Sequence, residues 1–371
     1  MNGQWIGSFE GTSQGLLVVD IDDIGDYYAG TATAIGNNSA LPPVLAVLPN
    51  IPKNQKQITL RGPLLPIDRQ SGKAVQWVEI SNQYGADVTV PTYADVRFEL
   101  ENESLGVQWT TDIGTTGHST LRKSRAEQPS ALVPVADVTT WDKFRRFARE
   151  LPPYRYIFRG QSGRLRLRTS FHRTGRTSLH RFELQDIPAL HRHLSGTVSH
   201  PFDLRDPLQN AAFYNLIQHH GYPTPLLDWT YSPFIAAFFA FKTDPRRKIG
   251  GDDHVRIFVF DKTDWSSDFQ PQYLITPAML NFTLLEPLAL NNPRVVPQQS
   301  VSSVTNVDDI EEYLQLCEGR ARKQYLRAID LPISERSTVL QELGLMGITA
   351  GSLFPGIDGA CEELRYRFFG I

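Results

Sequence analysis

The chain has 371 residues, 41% of them hydrophobic, and a formal net charge of −3. Its length allows two or three hydrophobic cores, and two cysteines, Cys317 and Cys361, exclude a disulfide framework and show no metal-ligand spacing. No apolar run approaches the roughly 18 residues of a membrane span and no signal-peptide pattern opens the chain, so a reducing, cytoplasmic setting away from membranes is expected.

Charge is unevenly spread. Residues 1–127 hold 9 Lys+Arg against 14 Asp+Glu, which leaves 28 against 26 for the remainder. In the first stretch short extended segments, at 15–21, 27–35, 75–81, 96–101 and 105–111, are separated by Gly, Asn, Asp and Pro, with little helical periodicity. The spacing predicts an antiparallel β-barrel or sandwich over 1–127. Such a domain serves either as a plain interaction module or as a sensor that regulates the second half of the chain. The polar, proline-containing segment 123–134 ends it, and a second domain is expected over 128–371.

Residues 137–151 read as an amphipathic helix with Val138, Trp141, Phe144, Phe147 and Ala148 on one stripe, capped by Thr139 or Thr140 and stopped by Pro152. Residues 154–161 read as a strand ending in Arg159 and Gly160, and the glycine would let a ligand approach the backbone. Arg164, Arg166 and Arg168 alternate, so in an extended chain they share one face. They are three of nine arginines between residues 154 and 192. That face suits a phosphate-rich partner, the alternative being a set of structural ion pairs.

A helix beginning at Asp206 and Pro207 leads to His219 and His220. Leu226 and Leu227 form a short buried strand with Asp228 and Thr230 at its end. Ser232 and Pro233 then open a helix that is apolar around most of its circumference. Polar groups at a strand end, delivered onto a helix N-terminus, make a natural anion site. Adjacent histidines on a helix point about 100 degrees apart, so His219 and His220 do not share one ion and no metal site is expected. Further on come an apolar strand at 255–260, an amide-rich stretch at 291–300, helices at 308–317 and 334–343, and a strand between them at 325–330.

Phe158-Arg159-Gly160-Gln161 is the motif from which the FRG domain takes its name, and residues 220–230, His-Gly-Tyr-Pro-Thr-Pro-Leu-Leu-Asp-Trp-Thr, resemble that family's central signature. Arg294 and Gln298 match its later Arg-x-x-x-Gln pattern, and residues 352–359 its C-terminal Leu-Phe-Pro-x-x-Asp-Gly turn. Pro225 departs from the family's usual arginine, and Ser300 from its usual glycine. The order of these motifs is similar to that of ADP-ribosyltransferases. The resemblance therefore implies a mixed α+β domain on a split sheet, and a toxin or defence effector using NAD as substrate. Arg159, Gly160, Thr230, Ser232 and Arg294 would bind NAD, and Gln298, Asp228 and His220 would serve catalysis. The acceptor would be a macromolecule, nucleic acid before protein, with Arg164, Arg166 and Arg168 as phosphate contacts. An antitoxin or regulatory partner would engage the β-domain. The alternative is a non-catalytic FRG module that binds nucleic acid or protein.

Overall fold

The computed structural model describes residues 1–243, 253–269, 278–286 and 288–369. Eight strands open the chain: β1 Gly3–Gly11, β2 Gly15–Asp23, β3 Tyr27–Gly36, β4 Val44–Pro52, β5 Gln57–Pro66, β6 Tyr93–Glu101, β7 Ser104–Thr111 and β8 Thr116–Lys123. Each pairs antiparallel with the next, and β1 pairs with β8, from Trp5 opposite Lys123 to Gly11 opposite Gly117, so the sheet closes into a barrel. The alternation seen in sequence sets its inside. On β6, Ala94, Val96 and Phe98 are buried while Arg97 is exposed, and they join Trp5, Ile21, Leu48, Leu105 and Leu121 in the interior.

β4 and β5 escape the sequence reading because prolines interrupt them. Pro49 falls inside a bulge, where the ladder jumps from Gly30–Leu48 to Tyr28–Ile51, a position that needs no amide donor. The strand expected at 75–81 is instead a one-turn helix, Trp77–Ile80. There Glu79 reaches back to the Gln76 amide at 2.8 Å, and Trp77 packs on Tyr84.

Six further strands form a second antiparallel sheet: β9 Tyr156–Gln161, β10 Leu226–Thr230, β11 His254–Asp261, β12 Phe282–Leu285, β13 Ser300–Thr305 and β14 Leu326–Pro332. Their order is β12-β13-β10-β9-β11-β14. β10 meets β13 over five residue pairs but touches β9 at one, Thr230 opposite Phe158. Beyond that pair the two halves part. This is the split that the resemblance implies, and it makes the cleft.

Helix α1, Trp141–Glu150, has Thr140 as its cap; α2 is Pro207–His219, capped by Asp206; α3 is Pro233–Phe241, capped by Ser232. α3 lies on one face of the sheet with α1 and α4, Arg336–Leu345, over Phe158, Val255, Ile257, Val259 and Ile329. The intervening β11 residues Phe258 and Phe260 face the other side, where Trp265, Ile310, Leu314 and Tyr325 close a second core. Both faces are covered, which is why β11 reads as a near-continuous apolar run, broken by Arg256, which is buried on Asp330 at 2.7 Å. A third core gathers α2 around Phe171, Phe182 and Phe202.

Candidate functional site

A cleft of about 420 Å³ occupies the split between β9 and β10. Arg159, Gly160 and Gln161 line it from β9, Asp228, Trp229 and Thr230 from β10, and Gln218 and His219 from the end of α2. The loop before β13 adds Arg294 and Gln298, and the segment after α4 adds Phe354. All four stretches that carry the family resemblance therefore converge on one place, although some 200 residues separate the first from the last.

Arg159 bridges the split, its Nη1 donating to the backbone oxygen of Asp228 at 2.6 Å. Its Nε is buried without a partner. Burial pulls the guanidinium down to about 10, with Asp228 opposing and Arg173 assisting, so it stays charged at neutral pH. Arg173, on the short helix Ser170–Arg173, also lines the cleft; burial, with Arg168 adding and Asp228 opposing, lowers its pKa. Among the described residues the Arg173 side chain has no hydrogen-bond or ion-pair partner, its backbone amide donating to the Thr169 carbonyl at 3.1 Å. Arg294 lies 5.3 Å from the Phe354 ring centroid and donates to the His219 carbonyl at 3.3 Å. Three cations thus face one carboxylate. That carboxylate, Asp228, is held at 2.6 Å by the Gln218 amide, whose oxygen takes the Thr224 hydroxyl.

Several expected roles change. His220 caps the end of α2 and is exposed outside the cleft; His219 lines it instead. The His219 Nδ1 stands 2.7 Å from the Asn215 carbonyl and 2.8 Å from the Asn292 amide nitrogen. The first contact calls for the proton on Nδ1, with Nε2 then the basic nitrogen, and the second, to an amide donor, calls for the other tautomer. Ser232 also lies off the cleft wall, its hydroxyl accepting from the Ile235 amide as the cap of α3. Thr230 is buried and doubly engaged, donating to the Gln298 carbonyl at 2.8 Å and accepting from the Ser232 amide at 3.1 Å. It ties the loop to the strand rather than offering a free hydroxyl. Gln298 donates to the Leu353 carbonyl at 2.9 Å, leaving its amide oxygen without a partner among the described residues.

Gly160 does line the cleft, but close packing accounts for the missing side chain. A Cβ there would stand 1.9 Å from the Ala236 carbonyl oxygen, so the glycine lets α3 seat on β9. Arg166 and Arg168 are not phosphate contacts. Arg166 is buried on Asp309 at 2.8 Å, and Arg168 bonds Asp308 at 2.6 Å and Glu127 at 3.3 Å. Arg164 is exposed, and its carbonyl takes the Ser130 amide at 2.8 Å. The alternation did place Arg166 and Arg168 on one face, but that face meets an acidic pair some 140 residues away. Sequence reasoning gave no cleft role to Gln161, Gln218 and Phe354, although Gln161 and Phe354 lie within the motif stretches and Gln218 just before one.

Residues 154–248 match the family model described as the FRG domain. The matched stretch carries β9, α2, β10 and α3, hence both walls of the split and the helix seated on it. The chain is an FRG domain-containing protein, with that domain joined to a closed eight-stranded barrel. No curated protein matches it.

Proposed function

We propose that the FRG cleft binds NAD and transfers its ADP-ribose to a macromolecular acceptor. The observation that carries this reading is the convergence of Arg159, Arg173 and Arg294 in one cleft with Asp228, His219 and Gln298. A pyrophosphate needs such paired guanidinium groups. Arg173, whose side chain has no hydrogen-bond or ion-pair partner among the described residues, is the first to be offered. Phe239 and Phe354, 5.9 Å apart edge to face, supply an apolar wall for a base or nicotinamide ring.

In the reaction the bond between nicotinamide nitrogen and ribose C1′ breaks, and nicotinamide leaves with the bonding electrons. The acceptor's oxygen or nitrogen attacks C1′ and gives up one proton. Asp228, oriented by Gln218, supplies negative charge near the developing oxocarbenium ion, and His219 Nε2 is a base for the proton. The Gln298 amide oxygen offers a dipole rather than a charge and orients a ribose hydroxyl. Since Arg166 and Arg168 are committed to Asp309 and Asp308, the alternating arginines no longer favour nucleic acid over protein, and the acceptor stands simply as a macromolecule.

Isothermal titration of the full chain with NAD, followed by chromatography for released nicotinamide, tests the reading. Labelled NAD incubated with cell extract, then with nucleases or protease, identifies the acceptor class. Binding without release or transfer leaves a binding module, consistent with Gln298 where a catalytic acid is expected. Absence of NAD binding overturns the proposal.

A further inference from the structure

The barrel interior is unevenly filled. Toward the end where β1 begins, Trp5, Ile21, Leu48, Ile51, Phe98 and Leu121 pack it solid. Toward the other end the inward positions of β3, β4 and β6 are Ala32, Ala34, Ala46 and Ala94, and a cavity of about 230 Å³ remains above them. Small residues on three strands at one level leave room that their neighbours do not fill. Phe9 and Trp109 form one wall, their rings edge to face at 5.4 Å.

The lining contains no Asp, Glu, Lys, Arg or His. Its side-chain polar groups are hydroxyls, the Asn38 amide and the Trp109 indole N–H, and two of the hydroxyls, Thr111 and Thr115, bond each other at 2.6 Å. At the mouth, Leu41 and Ile113 are 39% and 42% exposed, an apolar rim in water. The mouth is at the barrel end opposite Gln4 and Asp22, which bond the FRG domain, so docking of the two domains leaves it open.

We propose that this cavity is a binding site for a small, uncharged, largely apolar molecule. Scaling from an apolar cavity of about 150 Å³ that takes benzene, it holds roughly nine non-hydrogen atoms, with more chain able to extend through the mouth. A charged headgroup is excluded from the interior because no counter-charge awaits it. The site is independent of the FRG cleft and of any chemistry there.

Calorimetric titration of the full chain with 1-octanol, octanoate and octylammonium tests this. 1-Octanol is expected to bind with a negative heat-capacity change, and both ions at least tenfold more weakly. Ala94→Leu and, separately, Ala46→Leu fill the space from different strands; each is expected to abolish octanol binding with the melting temperature held or raised. Ala32→Val, a smaller intrusion, weakens binding if the larger side chains prove disruptive. Failure of 1-octanol to bind the folded chain, equal binding of octanoate, or undiminished binding in a folded filled variant overturns the proposal.

Discussion

Arg173 and Gly160 sit in the same cleft for opposite reasons. The Arg173 side chain has a charge and no hydrogen-bond or ion-pair partner among the described residues, so its removal breaks no side-chain bond. Arg173→Ala is expected to weaken NAD binding at least tenfold while leaving the melting temperature within a degree or two, as titration and a thermal melt will report. Gly160→Ala acts on packing: its methyl meets the Ala236 carbonyl, and overpacking of this kind costs about 3 kcal/mol, read as a lowered urea midpoint. His172 adds a pH signature. Buried, with Nδ1 2.6 Å from the Thr169 hydroxyl and Nε2 unpartnered, it is pushed down to about 4. A depressed folded value means the neutral ring is favoured by folding. That stability is present above pH 6.5 and is lost as the pH falls toward 4, so His172→Gln should flatten the acid side of the stability profile.

Between elements, the tie from the β9 region to the residues after β13 is ionic and buried. Asp309 caps the helix Ile310–Ala321 through the Glu312 amide at 3.1 Å and also receives Arg166. Asp309→Ala removes a cap and strands a buried guanidinium, a loss of about 3–5 kcal/mol measurable by denaturant titration. This tie explains what could be read from sequence and what could not. Strand alternation, the Ser232-Pro233 cap and the apolar α3 act within a few residues of themselves, so barrel and central helix were legible, whereas the mixed α+β sheet was expected through resemblance. The four motif stretches likewise marked the cleft through resemblance. Ion pairing is set by where distant segments come to rest, so nothing local told Arg166, neutralised by Asp309, from Arg173, left open to the cleft. The same limit applied to His219 and His220: one residue of helical rotation decides which ring lines the wall.

For the molecule as a whole, the barrel and the chain that follows it meet through buried polar contacts. Asp22 accepts from the Thr177 amide at 2.6 Å, the Ser178 amide at 3.1 Å and Arg176 at 3.1 Å. Gln4 donates to the Asn306 carbonyl and accepts from the Asp308 amide. Asp22→Ala should uncouple the two, turning one calorimetric transition into two. Asp20, bonded to Gln4 at 2.9 Å, has its carboxyl pushed up to about 8 by burial, Gln4 opposing and Asp22 and Asp308 adding. A raised folded value means stability is full below about pH 4 and is lost as the pH rises through 8. The melting temperature should therefore fall between about pH 4 and 8, and less so in Asp20→Asn.

The Gln4 contacts also set an order of events during synthesis. β1 can close against β8 once Lys123 has left the ribosome, but Gln4 must wait for Asn306 and Asp308, more than 300 residues behind it. At translation rates of about 5–20 residues per second, the finished barrel spends some ten seconds or more with its docking surface bare. That surface carries Gln4, Asp20 and Asp22, side chains that water satisfies while the barrel waits, beside the apolar Leu45 and Leu65 that later meet Leu179 and Leu184.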